Sequence, residues 1–229
     1  MDIEFWAPLL GRDPISMVSH LVGAILSLGG TGVLVRQARQ NGMRGVAVGA
    51  YGLMMTFAFS ASALFHFVDA ESARYDFYNK LDHSAIFLMI AGTGTAAYGA
   101  LKAQWSDRLT GALWTVSLLG MGLQLAFWSM PDWLTAMIYL TVGWMGSLGV
   151  VAVGRGGERS LRLFLIGAGV FSFSAVVYAV DWPSLWMGAH EVFHLLVLIG
   201  AAFHFRFVYR HCTSPTGGTP GVVLGADRA

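Results

Sequence analysis

The chain has 229 residues, of which 55% are hydrophobic and only 12% charged, and its mean hydropathy is +0.60. A soluble domain typically carries about 25% charged residues, so this composition points to a membrane protein, and a net charge of +1 gives no basis for nucleic acid as a partner. The single cysteine, Cys212, excludes an intrachain disulfide framework.

The opening stretch, MDIEFWAPLLGRDP, lacks a basic region ahead of an apolar core and does not read as a cleaved signal. A bilayer span needs about 20 mostly apolar residues, and seven stretches qualify in chain order. The first, at about 16–36, contains SHLVGAILSLGG with His20; the joint RQARQNGMR leads to the second, at about 45–67, which ends in SASALFHF. After the longer joint VDAESARYDFYNKLD (68–82), the third span, at about 83–103, begins at LDHSAIF. The fourth (about 109–128), fifth (about 133–153) and sixth (about 161–180) are separated by MPD and GRGGER. DWPS then precedes the seventh, at about 187–208, which opens on HEVFH. Joints this short force antiparallel neighbours. The expected fold is an all-α integral membrane protein, a seven-transmembrane-helix bundle over residues 1–212. The polar, Gly/Pro-rich remainder, 213–229, reads as a disordered tail.

Positive charge gives an orientation. Arg36, Arg39, Arg44, Lys102, Arg108, Arg155, Arg159, Arg162, Arg206, Arg210 and Arg228 fall on one set of ends and loops, against Arg12, Arg74 and Lys80 on the other. Cytoplasmic loops carry the excess of Lys and Arg, which places the C-terminus in the cytoplasm and the N-terminus outside.

On this map the end of span two and the starts of spans three and seven share one membrane face. Ser62 and His66 lie four apart on one helical face, as do His190 and His194, and Asp82 stands at the first turn of span three. Three histidines with an open fourth position are a common catalytic zinc arrangement, and zinc lowers the pKa of a bound water from 15.7 to about 7. His66, His190 and His194 are therefore the candidate metal ligands. Asp82 is placed to hold and deprotonate the water, and Ser62 to hydrogen-bond the water or a carbonyl oxygen. Taken singly, each has a plainer role: His66 could reach for the interface, Asp82 could cap the third helix or pair with Lys80 or Arg74, and Ser62 could bond a backbone carbonyl. Their shared face favours the metal site, since independent accidents need not agree.

HEVFH also matches the H-E-x-x-H protease string, in which the glutamate is the base. The extended form fails: Val197 stands at its glycine position and Gly200 at its last histidine position. His204 and His211 lie further on, His204 roughly 15 Å along the axis from His194 at 1.5 Å per residue. Glu191 suits a helix start, where negative charge is favourable.

Together, SxxxH, LDHSAIFLMIAGT and HEVFHLLVLIGAAFHF resemble the hemolysin III family, within the progestin and adipoQ receptor superfamily that includes the adiponectin receptors. The resemblance covers nearly the whole chain, SHLVGAILSLGG around His20 included. It implies seven helices and zinc held by three histidines, falling on His66, His190 and His194. It also implies a water held by an aspartate, Asp82, with Ser62 as the motif serine. Adiponectin receptors look like ceramidases, whereas the hemolysin III name implies pore-forming lysis. Where family members often read AGTYTP, this chain reads AGTGTA (91–96). Adiponectin receptors also place the amino terminus and zinc in the cytosol, opposite to the charge pattern here.

The expected function is a zinc-dependent hydrolase of a lipid amide or ester, in a bacterial inner membrane with membrane lipids as partners. The alternatives are a non-enzymatic sensor of membrane state with structural zinc, and a cytolysin. The cytolysin ranks last, because the spans carry only scattered Ser, Thr and Gln124 and no ring of charge.

Overall fold

A computed structural model describes residues 11–41, 45–100, 105–153, 161–183 and 187–213. Seven helices occur among them: α1 (Pro14–Gln40), α2 (Gly45–Phe67), α3 (Tyr75–Ala100), α4 (Ser106–Ala126), α5 (Asp132–Val153), α6 (Leu161–Val180) and α7 (Ala189–Thr213). Pro14 opens α1, where its missing N–H is no loss and its fixed φ suits the first turn.

Two sequence expectations change. The joint before the third span is helical from Tyr75, stabilised by Asp76 in the first turn and by its 2.6 Å ion pair with Lys80 one turn on. Asp82 therefore lies two turns inside α3 and does not cap it, and Lys80 is engaged with Asp76 instead. The last helix continues to Thr213, while the remainder of the expected tail, 214–229, lies outside the described residues.

Each helix packs on the next, and α1 also packs on α7, so the seven close into a ring; α3 additionally touches α5 and α7. Contacts near helix ends fix the directions. The Asp13 N–H at the head of α1 donates to the His66 carbonyl at the foot of α2 (3.1 Å). The Tyr139 hydroxyl, early in α5, donates to Gln124 late in α4 (2.9 Å). The Tyr178 hydroxyl, late in α6, donates to Asp132 at the start of α5 (3.0 Å), and the Tyr178 ring faces His190 at the start of α7. Successive helices thus alternate in direction, which gathers the heads of α1, α3, α5 and α7 with the feet of α2, α4 and α6 at one face.

Exposure is inverted relative to a soluble bundle. Val46 is 83% exposed, Leu26 69% and Leu119 67%, whereas His66 is 0% and Gln124 3% exposed. An apolar exterior of this extent needs lipid to cover it. All helices but α3 are long and apolar enough to cross a membrane, so the chain is an all-α multi-pass membrane protein. α3 falls short because it carries Asp76, Lys80, Asp82 and His83 in its first turns and Thr and Gly beyond.

Candidate metal centre

His66 occupies the last turn of α2, and His190 and His194 occupy successive turns at the start of α7. Ring closure and alternating helix directions bring the three imidazoles together. Ring centroids lie 4.4 Å apart for His66–His194, 4.7 Å for His190–His194 and 5.1 Å for His66–His190. One nitrogen from each falls within 4.8 Å of the others, and the Nε2 atoms of His190 and His194 are 3.0 Å apart. A tetrahedral ion with metal–nitrogen bonds of about 2.0–2.1 Å separates its ligand nitrogens by roughly 3.3 Å, which lies inside that range. His66 Nε2 is buried with no hydrogen-bond partner. A buried polar nitrogen left alone is costly, and a neutral imidazole offers there the lone pair that a cation would take. The group could hold a metal ion.

The segment before α1 supplies neighbours for this cluster. His66 Nδ1 donates to Asp13 Oδ2 at 2.8 Å, and Asp13 Oδ2 also accepts from Arg12 Nε at 2.9 Å, with Nη2 in ion-pair contact at 2.8 Å. The hydrogen bond from His66 is the main reason that the Asp13 carboxyl is lowered from 3.8 to about 2; Arg12 adds to it, and partial burial opposes it. On α1, His20 Nε2 lies 3.2 Å from both His194 Nδ1 and the His194 carbonyl oxygen. Sequence reasoning did not place Asp13 or His20 in the site. Asp before Pro reads as a helix start, and His20 appeared only within a matching first segment; neither pattern reports a contact made across the ring.

Asp82 and Ser62 stand on α3 and α2 beside the cluster, and with His194 they line one end of a cavity of about 150 Å³. The cavity continues past Phe59, Met89, Leu113 and Phe171 to His204, ten residues or about 15 Å along α7. It is far larger than the ~10–15 Å³ a single water requires. The Ser62 hydroxyl is buried and lies within reach of the Asp82 carboxyl.

His204, His83 and Glu191 are engaged elsewhere. His204 Nε2 donates to the Phe164 carbonyl (3.0 Å) while its ring stacks on Phe164 at 4.3 Å. This fit needs glycine at 167, where a Cβ would collide with the His204 ring. His83 Nδ1 donates to the Asn79 carbonyl (2.9 Å), and its ring meets Trp128. Glu191 sits in the first turn of α7 with its carboxylate over Gly188. Among the described side chains the protease string has no downstream ligand, His211 lying outside them; the third imidazole comes from α2.

Comparison with known proteins identifies relatives over most of the chain. A family model described as haemolysin-III related matches residues 10–205. "Hemolysin-3" of Bacillus cereus is 29% identical over 195 residues, 82% of this chain and 86% of the relative. A "Hemolysin-3 homolog" of Bacillus subtilis (strain 168) is 26% identical over 199 residues, 85% of this chain and 92% of the relative.

Proposed function

The chain belongs to the haemolysin-III-related family, part of the progestin and adipoQ receptor superfamily, and from this premise we propose that it is a zinc-dependent membrane hydrolase of a lipid amide or ester. In this reading α3 is the seventh span, its polar residues shielded by α2, α4, α5 and α7. The membrane is a bacterial inner membrane, with the C-terminus in the cytoplasm and the histidine face outside.

The observation that carries the proposal is the meeting of three imidazoles, one with an unpartnered Nε2, at the end of a mainly apolar cavity beside Asp82 and Ser62. His66, His190 and His194 hold the ion. Zinc bound there supplies a Lewis acid and a water of lowered pKa in the fourth position. Asp82 would accept a proton from the attacking water and return it to the departing amine or alcohol. Ser62, beside Asp82, would steady the substrate carbonyl oxygen as charge develops on it. The cavity takes the acyl chain, its apolar lining matching hydrocarbon. A lytic pore, which the relatives' name suggests, calls for a continuous polar stripe, and Phe59, Met89, Leu113 and Phe171 do not provide one.

The test is metal analysis of the purified protein beside single alanine variants of the three histidines, with turnover of ceramide and of simple acyl esters in mixed micelles. Stoichiometric zinc in the wild type alone, with turnover lost in His190→Ala, is the expected result. A zinc-free wild type, or turnover indifferent to His190, overturns the reading. A reporter fused after Ala229 tests the orientation: activity on the outer side of the membrane reverses it.

A further inference from the structure

We propose that Asp13, anchored by Arg12, is the positioning residue of the metal centre: it accepts a hydrogen bond from His66 Nδ1–H and so presents the Nε2 lone pair to the ion. This rests on the metal reading of the same three histidines and names what orients one of them.

Four observations converge. Asp13 occupies the N-cap position of α1, yet its side chain makes no capping hydrogen bond; its carboxylate turns to His66 Nδ1 at 2.8 Å instead. Arg12 Nη2 also approaches Nδ1, at 3.5 Å, but that contact would require an acceptor there. The shorter, charge-assisted contact to the carboxylate prevails and makes Nδ1 the donor. With the proton fixed on Nδ1, the lone pair is on Nε2, and Nε2 is the buried atom without a partner. A carboxylate or carbonyl accepting from the far nitrogen of a ligating histidine fixes its tautomer and ring orientation.

The carboxylate is itself held. Arg12 donates to Oδ2 from Nε, pairs with it through Nη2 and lies over two aromatic rings, 4.6 Å from Phe65 and 5.0 Å from Tyr75. The Asp13 N–H donates to the His66 carbonyl at 3.1 Å, so one residue grips both the backbone and the ring of the histidine. A tether of the N-terminal segment alone would account for the backbone bond and the arginine, but not for the selection of Nδ1.

The experiment uses the full chain in detergent micelles, with Zn2+ affinity measured by chelator competition and the visible spectrum recorded in Co2+. Wild type, His66→Ala, Asp13→Asn, Asp13→Glu and Arg12→Gln are compared, with helix content followed by circular dichroism. Asp13→Asn is expected to weaken zinc binding about 10–100-fold and to alter the cobalt bands, with helix content unchanged. Asp13→Glu recovers most of the affinity. Wild-type affinity and spectrum in Asp13→Asn, while His66→Ala loses metal, overturns the positioning role and leaves the metal site standing. Metal retained in full by His66→Ala overturns both. Should an Asp13 variant not fold, Arg12→Gln decides: it is expected to weaken affinity several-fold, and wild-type affinity with wild-type bands overturns the proposal.

Discussion

Gly11→Ala perturbs the site without touching its chemistry. Gly11 has φ +71°, a region that costs an alanine about 1–2 kcal/mol. A Cβ there would lie 2.5 Å from Phe67 Cα, 2.8 Å from the Phe67 carbonyl oxygen and 3.0 Å from the His66 carbonyl oxygen. All three are backbone atoms at the foot of α2 and cannot swing aside, so residues 11–13 must lift. Lifting stretches the Asp13 N–H bond to His66, a neutral contact worth roughly 0.5–1.5 kcal/mol, and draws the carboxylate off Nδ1. That second loss is discounted because the Asp13 side chain is 30% exposed. The total expected is about 2–4 kcal/mol of stability, with zinc affinity falling as in Asp13→Asn. Gly32→Ala is the control: its Cβ would meet nothing within 4 Å, and helix propensity alone gives a change between zero and a gain of about 1 kcal/mol. Unfolding in mixed micelles titrated with dodecyl sulfate, followed by circular dichroism, gives the stability; chelator competition gives the affinity. Gly11→Ala matching wild type within about 0.5 kcal/mol and in metal affinity would refute the account of how this segment docks.

Asp82→Asn should retain zinc yet lose turnover by about 10²–10⁴-fold, the usual worth of a positioned acid–base group; loss of metal along with activity would make Asp82 a ligand instead. Gly167→Ala should cost about 1–3 kcal/mol by overpacking the His204 ring, and an unaltered unfolding midpoint would contradict the fit described for that ring. The folded-state pKa of Asp13 is depressed from 3.8 to about 2, so its stabilisation is complete above about pH 4 and is lost as pH falls from 4 towards 2. The stability gap between metal-free wild type and Asp13→Asn should close over that window; a gap constant from pH 5 to pH 2 would show that the charge plays no part.

The sequence carried the coarse architecture because hydrocarbon imposes a simple rule on it: long apolar runs and short polar joints place the helix ends within a few residues. It misplaced the start of α3, where composition argued for a loop while Asp76 and Lys80 supported each other across one helical turn. The five expected site residues shared one membrane face on the map, and the structure brings His66, His190 and His194 together, with Ser62 and Asp82 on the adjoining cavity. What could not be read was Asp13 and His20. Their roles depend on α1 packing against α7 and on an N-cap residue forgoing its cap, and neither leaves a periodic trace. Which nitrogen of His66 stands unpartnered is a further fact of packing alone.

The ring of helices has one seam where no joint of chain runs, between α1 and α7. Every other neighbouring pair around the ring is adjacent in sequence and stays close even when packing loosens, whereas this pair is held together by packing alone. The histidine cluster lies across that seam: His20 of α1 meets His194 of α7, and His66, gripped by Asp13 at the head of α1, completes the set with His190. An ion held by His66, His190 and His194 would tie α2 to α7, with α1 drawn in through Asp13 and His20. If the ion bound the closed ring and not the open one, closure and occupancy would strengthen each other by the same free energy.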